Sequence, residues 1–120
     1  MQYLLLIYNN ESAAKPSPAE MATIMKDYGA FTQSIQQSGH YKGGNPLQPV
    51  ATATSVRVRD GKTLLTDGPF AETVEQLGGY YLIEAANLDD ATAIAARIPG
   101  ARWGTIEVRP IWAMAAPASA

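Results

Sequence analysis

The chain contains no cysteine, which excludes a disulfide framework, a thiol nucleophile and a thiolate zinc site. It also lacks an excess of positive charge. Nine lysines and arginines stand against eleven acidic residues, for a formal net charge of −2. A nucleic-acid binder draws much of its affinity from neutralising phosphates and carries a basic footprint. The one local basic grouping, Arg57, Arg59 and Lys62, reads as a solvated hairpin face, so nucleic acid is not an expected partner. Long apolar runs are missing too. Leu4-Leu5-Leu6-Ile7-Tyr8 is far short of the ~20 residues of a membrane span. It is preceded by neither a positive n-region nor followed by a small-residue cleavage site. The expectation is a cytoplasmic protein without membrane contact. No metal-ligand cluster, nucleophile triad or phosphate loop stands out, and no metal or cofactor is expected.

At 120 residues the chain is the size of one domain, read as residues 1–114 with a frayed tail over 115–120. Gln2 to Tyr8 is apolar on both faces, the pattern of a central strand. Ser17-Pro18-Ala19-Glu20 starts a helix, with Ser17 as N-cap, Pro18 at the first helical position and Glu20 closing a capping box. Met21, Ile24, Met25, Tyr28, Phe31 and Ile35 follow as one apolar stripe, and Gly39 ends the helix in the left-handed conformation. His40 to Thr52 is read as a loop or short irregular strand, punctuated by Gly43-Gly44-Asn45-Pro46 and Pro49.

Thr54 to Arg59 and Lys62 to Thr66 form a hairpin around Asp60-Gly61, the signature of a type I′ turn. In that register Arg59 faces Lys62, Arg57 faces Leu64 and Thr54 faces Asp67. Alternation then places Asp67 on the apolar face with Val56, Val58 and Leu65. A carboxylate covered there would need donors close by, or its pKa would rise. Gly79 to Ala85 is the next strand. Asn87 caps a second helix, with Asp89 and Asp90 in its first turn. Its buried stripe is Ala91, Ile94, Ala95 and Ile98, Arg97 sits in its last turn, and Pro99-Gly100 stop it. Thr105 to Ile111 is the last strand, with Ile106 and Val108 inward.

The order of strand, helix, hairpin, strand, helix and strand predicts a ferredoxin-like α+β fold. Its mainly antiparallel sheet carries two helices on one face and an added hairpin. The strands from Gln2 and Gly79 are apolar on both faces, whereas the helices cover one. A homodimer that packs the two open faces together is the expected resolution.

Asp67-Gly68-Pro69-Phe70 stands after Arg57-Val58-Arg59-Asp60-Gly61-Lys62 and before Glu72-Thr73 and Glu75-Gln76-Leu77-Gly78-Gly79-Tyr80. The whole run resembles the YCII-related family, in its DGPF-motif branch. The resemblance extends from Tyr3 to Arg109, taking in Tyr28-Gly29-Ala30-Phe31 and Glu107-Val108-Arg109-Pro110. It implies a ferredoxin-like fold of the dimeric α/β-barrel type, with a pocket near the dimer interface. Some relatives carry a His–Asp pair in a cleft and are suspected enzymes; others lie beside, or are fused to, extracytoplasmic-function sigma factors. The helix histidine of the former falls on or near Tyr28 here, and the one histidine, His40, lies beyond that helix. A tyrosine with an ordinary pKa of about 10 is a poor general base at neutral pH.

Each candidate has a functional and a structural reading. Asp67 is either a catalytic acid or base, or a turn residue capping the amides that follow it. Tyr28 either points its hydroxyl at Asp67 or packs in the core with one polar partner. Gly68 supplies a positive φ, Pro69 sets the exit direction, and Phe70 is a plug or a ligand platform. Glu72 and Glu75 are paired carboxylates or solvated loop charges. His40, beyond a helix C-terminus that favours its charged form, is a base or a surface histidine. Arg57 clamps an anion or a partner chain, or is simply exposed. The first function expected is a dimer that binds a small molecule between Tyr28, Asp67 and the Gly68–Phe70 turn, and is an enzyme if Asp67 transfers protons. The second is a non-catalytic accessory module working with a sigma-factor system.

Overall fold

The computed structural model describes residues 1–114; the tail expected over 115–120 lies outside the described residues. The strands are β1 (Gln2–Asn9), β2 (Tyr41–Pro46), β3 (Thr54–Arg59), β4 (Lys62–Asp67), β5 (Gln76–Glu84) and β6 (Thr105–Pro110). The helices are α1 (Pro18–Gln37) and α2 (Leu88–Ala95), with 3-10 turns at Val50–Thr52 and Pro99–Arg102. Four strands make one antiparallel sheet in the order β2-β5-β1-β6, while β3 and β4, among the described residues, pair only with each other. Setting that ribbon aside leaves β-α-β-β-α-β, the ferredoxin-like arrangement. The two strands that are apolar on both faces, β1 and β5, are the central pair.

Local chemistry sets the ends of α1. The Glu20 amide donates to Ser17 Oγ at 3.1 Å and the Ser17 amide donates to Glu20 Oε1 at 3.2 Å, closing the capping box. At the other end Gly39 has φ +81°, and the His40 amide donates to the Ile35 carbonyl at 3.0 Å. Of the apolar stripe only its C-terminal part is buried, at Phe31 and Ile35. Met21 and Met25 stay on the surface. For α2, Asn87 Oδ1 accepts from the Asp90 amide at 2.9 Å, as a cap should. This helix ends at Ala95, so Arg97 lies past it, and Pro99-Gly100 begin a 3-10 turn rather than a bare stop.

Between sheet and helices Leu5, Ile35, Ile83 and Ile98 are fully buried, with Tyr3, Phe31, Tyr81 and Ile94 around them. Each such aliphatic side chain contributes about 1.5–3 kcal/mol by leaving water. Phe31 and Tyr81 meet edge to face at 5.2 Å between ring centres, a favoured aromatic geometry. Ile106 and Val108 pack against this core. Leu4, Leu6, Tyr8, Tyr80 and Leu82 alternate with these residues onto the opposite face and are half-buried there.

The stretch from His40 to Thr52, a loop or short irregular strand in the sequence reading, contains an edge strand. β2 pairs with β5 through a bulge between Tyr41 and Gly43. A Cβ at Gly44 would stand 2.8 Å from the Tyr80 carbonyl oxygen and 2.9 Å from the Tyr81 ring. Glycine is there to let two backbones approach, which in sequence looks the same as a loop signal. No helix among the described residues is long and apolar enough to cross a membrane.

Candidate functional site

The ribbon and the turn leaving it form the first candidate. Asp60 and Gly61 have φ of 51° and 72°, the left-handed pair that a type I′ turn needs. The register is Arg59 opposite Lys62, Arg57 opposite Leu64 and Thr54 opposite Asp67. Asp67 therefore shares a face with Val56, Val58 and Leu65. That face is open to solvent within one chain, with Val56 and Leu65 60% and 68% exposed. Asp67 is exposed with them, so it does not need the neighbouring donors that burial would demand. Arg57, on the other face, is exposed as well.

Gly68 closes the ribbon. With φ +99°, it donates its amide to the Ala53 carbonyl at 2.7 Å and accepts from Ser55 Oγ at 2.8 Å. The chain then passes Pro69 to Phe70, which is 81% exposed; it plugs nothing among the described residues. Beside this turn lies a hollow of about 360 Å³ lined by Val50, Pro69, Ala71, Glu72, Thr73 and Gln76. Its rim is fastened by Glu11, whose carboxylate accepts from the Val50 amide at 3.2 Å and whose amide donates to Gln76 Oε1 at 2.9 Å. Glu11 and Val50 carry no pattern that would single them out in sequence. Gln76 lies inside the conspicuous run but reads there only as the start of a strand. Glu75, paired in sequence with Glu72, instead accepts from the Thr105 hydroxyl at 2.7 Å and is tied to β6.

Of the residues singled out in sequence, Pro69 and Glu72 line this hollow, whereas Asp67, Gly68, Phe70, Arg57, Tyr28 and His40 do not. The Tyr28 hydroxyl accepts from the Gly100 amide at 3.2 Å, and among the described residues no hydrogen bond joins it to Asp67. Burial pushes its pKa upward, which makes the phenol still less able to act as a base at neutral pH. Tyr28 thus takes the core role with one polar partner. The hydroxyl aimed at Asp67 is not formed within the chain, because α1 turns that side chain toward the Pro99–Arg102 turn.

His40 sits between the ends of both helices. Its Nδ1 is 2.7 Å from Ser38 Oγ and its Nε2 is 3.3 Å from Asp90 Oδ2. Hydroxyl, imidazole and carboxylate in series have the composition of an acyl-transfer chain, yet all three are engaged at helix ends. Ser38 is the C-cap of α1, and Asp90 accepts from the Ala86 amide at 3.0 Å at the start of α2. The Ala86 amide first, and then His40, hold the Asp90 carboxyl below its ordinary pKa. A depressed folded-state value means that this contribution is present above the ordinary carboxylate pKa and is lost as pH falls through the folded one. Asp90→Asn is therefore expected to lower the urea midpoint at neutral pH. Its deficit against the parent should shrink as pH drops below the ordinary carboxylate value, and an equal deficit at all pH values would refute this linkage.

The family model for the YCII-related domain matches residues 1–115. An uncharacterized protein of Rhizobium meliloti (strain 1021) is 39% identical over 114 residues, covering 92% of each chain.

Proposed function

The chain belongs to the YCII-related family, and from that premise we propose a homodimer that binds a small molecule in the hollow beside the Asp67–Phe70 turn. The observation that carries this reading is the exposure of Val56, Val58, Leu65 and Phe70 next to a hollow of about 360 Å³. Contiguous apolar surface of this kind marks interaction sites, and ligand pockets span roughly 300–1,000 Å³. A second copy laid on the open sheet face and the ribbon would shelter both, along with Leu4, Leu6 and Leu82. Covered in that way, Asp67 would be a sheltered carboxylate beside the hollow, the group in this turn able to accept or donate a proton. Glu72 supplies a carboxylate on the wall of the hollow itself, and Gly68 and Pro69 hold the turn in place. Tyr28, held by Gly100, has a structural part in this reading.

The same ribbon favours a second reading. A strand pair with free edges and an uncovered apolar face suits docking to another protein, and the chain would then be a non-catalytic accessory to an extracytoplasmic-function sigma-factor system.

Two measurements separate these readings. Light scattering at micromolar concentration should give about twice the chain mass of 12.8 kDa; a monomer mass refutes the dimer. A small-molecule screen by thermal shift should find a ligand for the parent that Asp67→Asn, changed at an exposed position, no longer holds. A ligand at 100 times its Kd stabilises by about 2.7 kcal/mol. A folded variant and a parent that no compound shifts would leave the accessory role.

A further inference from the structure

We infer that the groove between α1 and the chain leaving α2 is a second binding site, for a small organic oxyanion (a carboxylate or phosphate ester) with a flat apolar body. The groove encloses about 460 Å³, and Asp27, Phe31, Ser34, Arg97, Pro99 and Arg102 are among its lining residues. It shares no lining residue with the hollow beside the Asp67–Phe70 turn, and the inference stands apart from the function proposed for that hollow.

Two guanidinium groups face this groove against one carboxylate, in a chain whose net charge is negative. Arg97 lies over the Phe31 ring, its guanidinium carbon 5.6 Å from the ring centre, and one Nη donates to Ser34 Oγ. Stacking uses the face of a guanidinium and leaves its edge donors free to fork an oxyanion. Among the described residues no carboxylate comes within ion-pair distance of Arg97. Arg102 is held in place differently. Its Nε donates to the Pro99 carbonyl at 3.2 Å and its Nη2 to Asp27 Oδ2 at 3.0 Å. That ion pair is exposed, at 59% and 40%, and exposed pairs contribute little, so a ligand oxyanion can compete with Asp27 for Arg102. Exposed Ala30 and Ala96, with the buried Phe31 and Pro99 behind them, supply an apolar floor beside the two charges. A bare anion would use the arginines alone; a ring-bearing one would also cover the floor, where burial of apolar area adds affinity.

The test uses the whole chain with benzoate and phenyl phosphate as probes and benzamide as the neutral isostere, followed by amide shift titration. Saturable binding of either anion is expected, with the shifts centred on Phe31, Ser34 and Arg97 and none produced by benzamide. Arg97→Gln should weaken it about tenfold, the equivalent of losing one good charged contact. Asp27→Asn should tighten it severalfold by removing the competing carboxylate, so one variant is read as a gain even if the other folds poorly. Asp67→Asn should leave it unchanged. Failure of both anions to saturate at roughly 50 mM, far weaker than the millimolar Kd of a marginal site, overturns the inference. So does equal binding of benzamide, or an affinity that neither Arg97→Gln nor Asp27→Asn alters.

Discussion

Ile83→Ala is expected to cost about 2–5 kcal/mol of stability, the range for deleting a buried isoleucine side chain down to its Cβ. Ile83 is fully buried on β5, one of the two central strands, directly opposite Tyr3 on β1 and Tyr41 on β2. Rigid neighbours on both sides limit how far the sheet can collapse into the space left, which places the effect toward the upper end. Domains of this size hold roughly 5–15 kcal/mol in total, so the loss would be a large share of what keeps the chain folded. Urea unfolding should show a lower midpoint with an unchanged slope. A loss below about 1 kcal/mol would contradict the packing described, since it would match a site that collapses freely or was never tightly filled.

A second large effect is expected at Gly104. An added Cβ would overlap the Tyr8 carbonyl oxygen and stand 3.3 Å from the Gly100 carbonyl oxygen. Both obstacles are backbone, so no rotamer change relieves them. The Gly104 amide also donates to Gly100 at 2.8 Å, and the next residue, Thr105, opens the pairing of β6 with Tyr8 on β1. Gly104→Ala must push β6 away from β1 or break that turn, with an expected cost of about 3 kcal/mol, at the high end of overpacking effects. Gly29→Ala is the control of opposite sign. Its Cβ would meet nothing within 4 Å, and alanine is favoured over glycine in a helix by up to about 1 kcal/mol. Thermal unfolding of both variants checks the pair, and equal behaviour would show that the Tyr8–Gly104 approach is not as close as described.

Much of this architecture is legible in local chemistry. Ser17 and Glu20 mark the start of α1, Asp60-Gly61 sets the ribbon turn and its register, and Asn87 caps α2, because each effect is complete within a few residues. What stays illegible depends on distant partners. Gly43-Gly44-Asn45-Pro46 carries the residues of a loop, and only the backbone of Tyr80 and Tyr81 explains why it is a strand. Period-two alternation assigns Asp67 to the side of Val56 and Leu65 but says nothing of what covers that side. The stripe on α1 includes Met21 and Met25, which nothing among the described residues buries. Tyr28 could face any of several neighbours from its helical position, and its choice of Gly100 follows from where the 3-10 turn after α2 passes. Of the candidate site, the sequence marks the turn from Asp67 to Phe70. The hollow beside it draws Val50 from a distant segment, with Glu11 fastening the rim, and so could not be read in advance.

None of the residues from Thr54 to Asp67 is buried, and the ribbon they form shares no strand pairing with the main sheet. An isolated two-stranded ribbon is only marginally stable in water. Its opening therefore need not disturb Leu5, Ile83 or any other part of the core. The length and tip of the ribbon can vary while the fold is kept. Selection can thus remodel this exposed surface at little cost to folding.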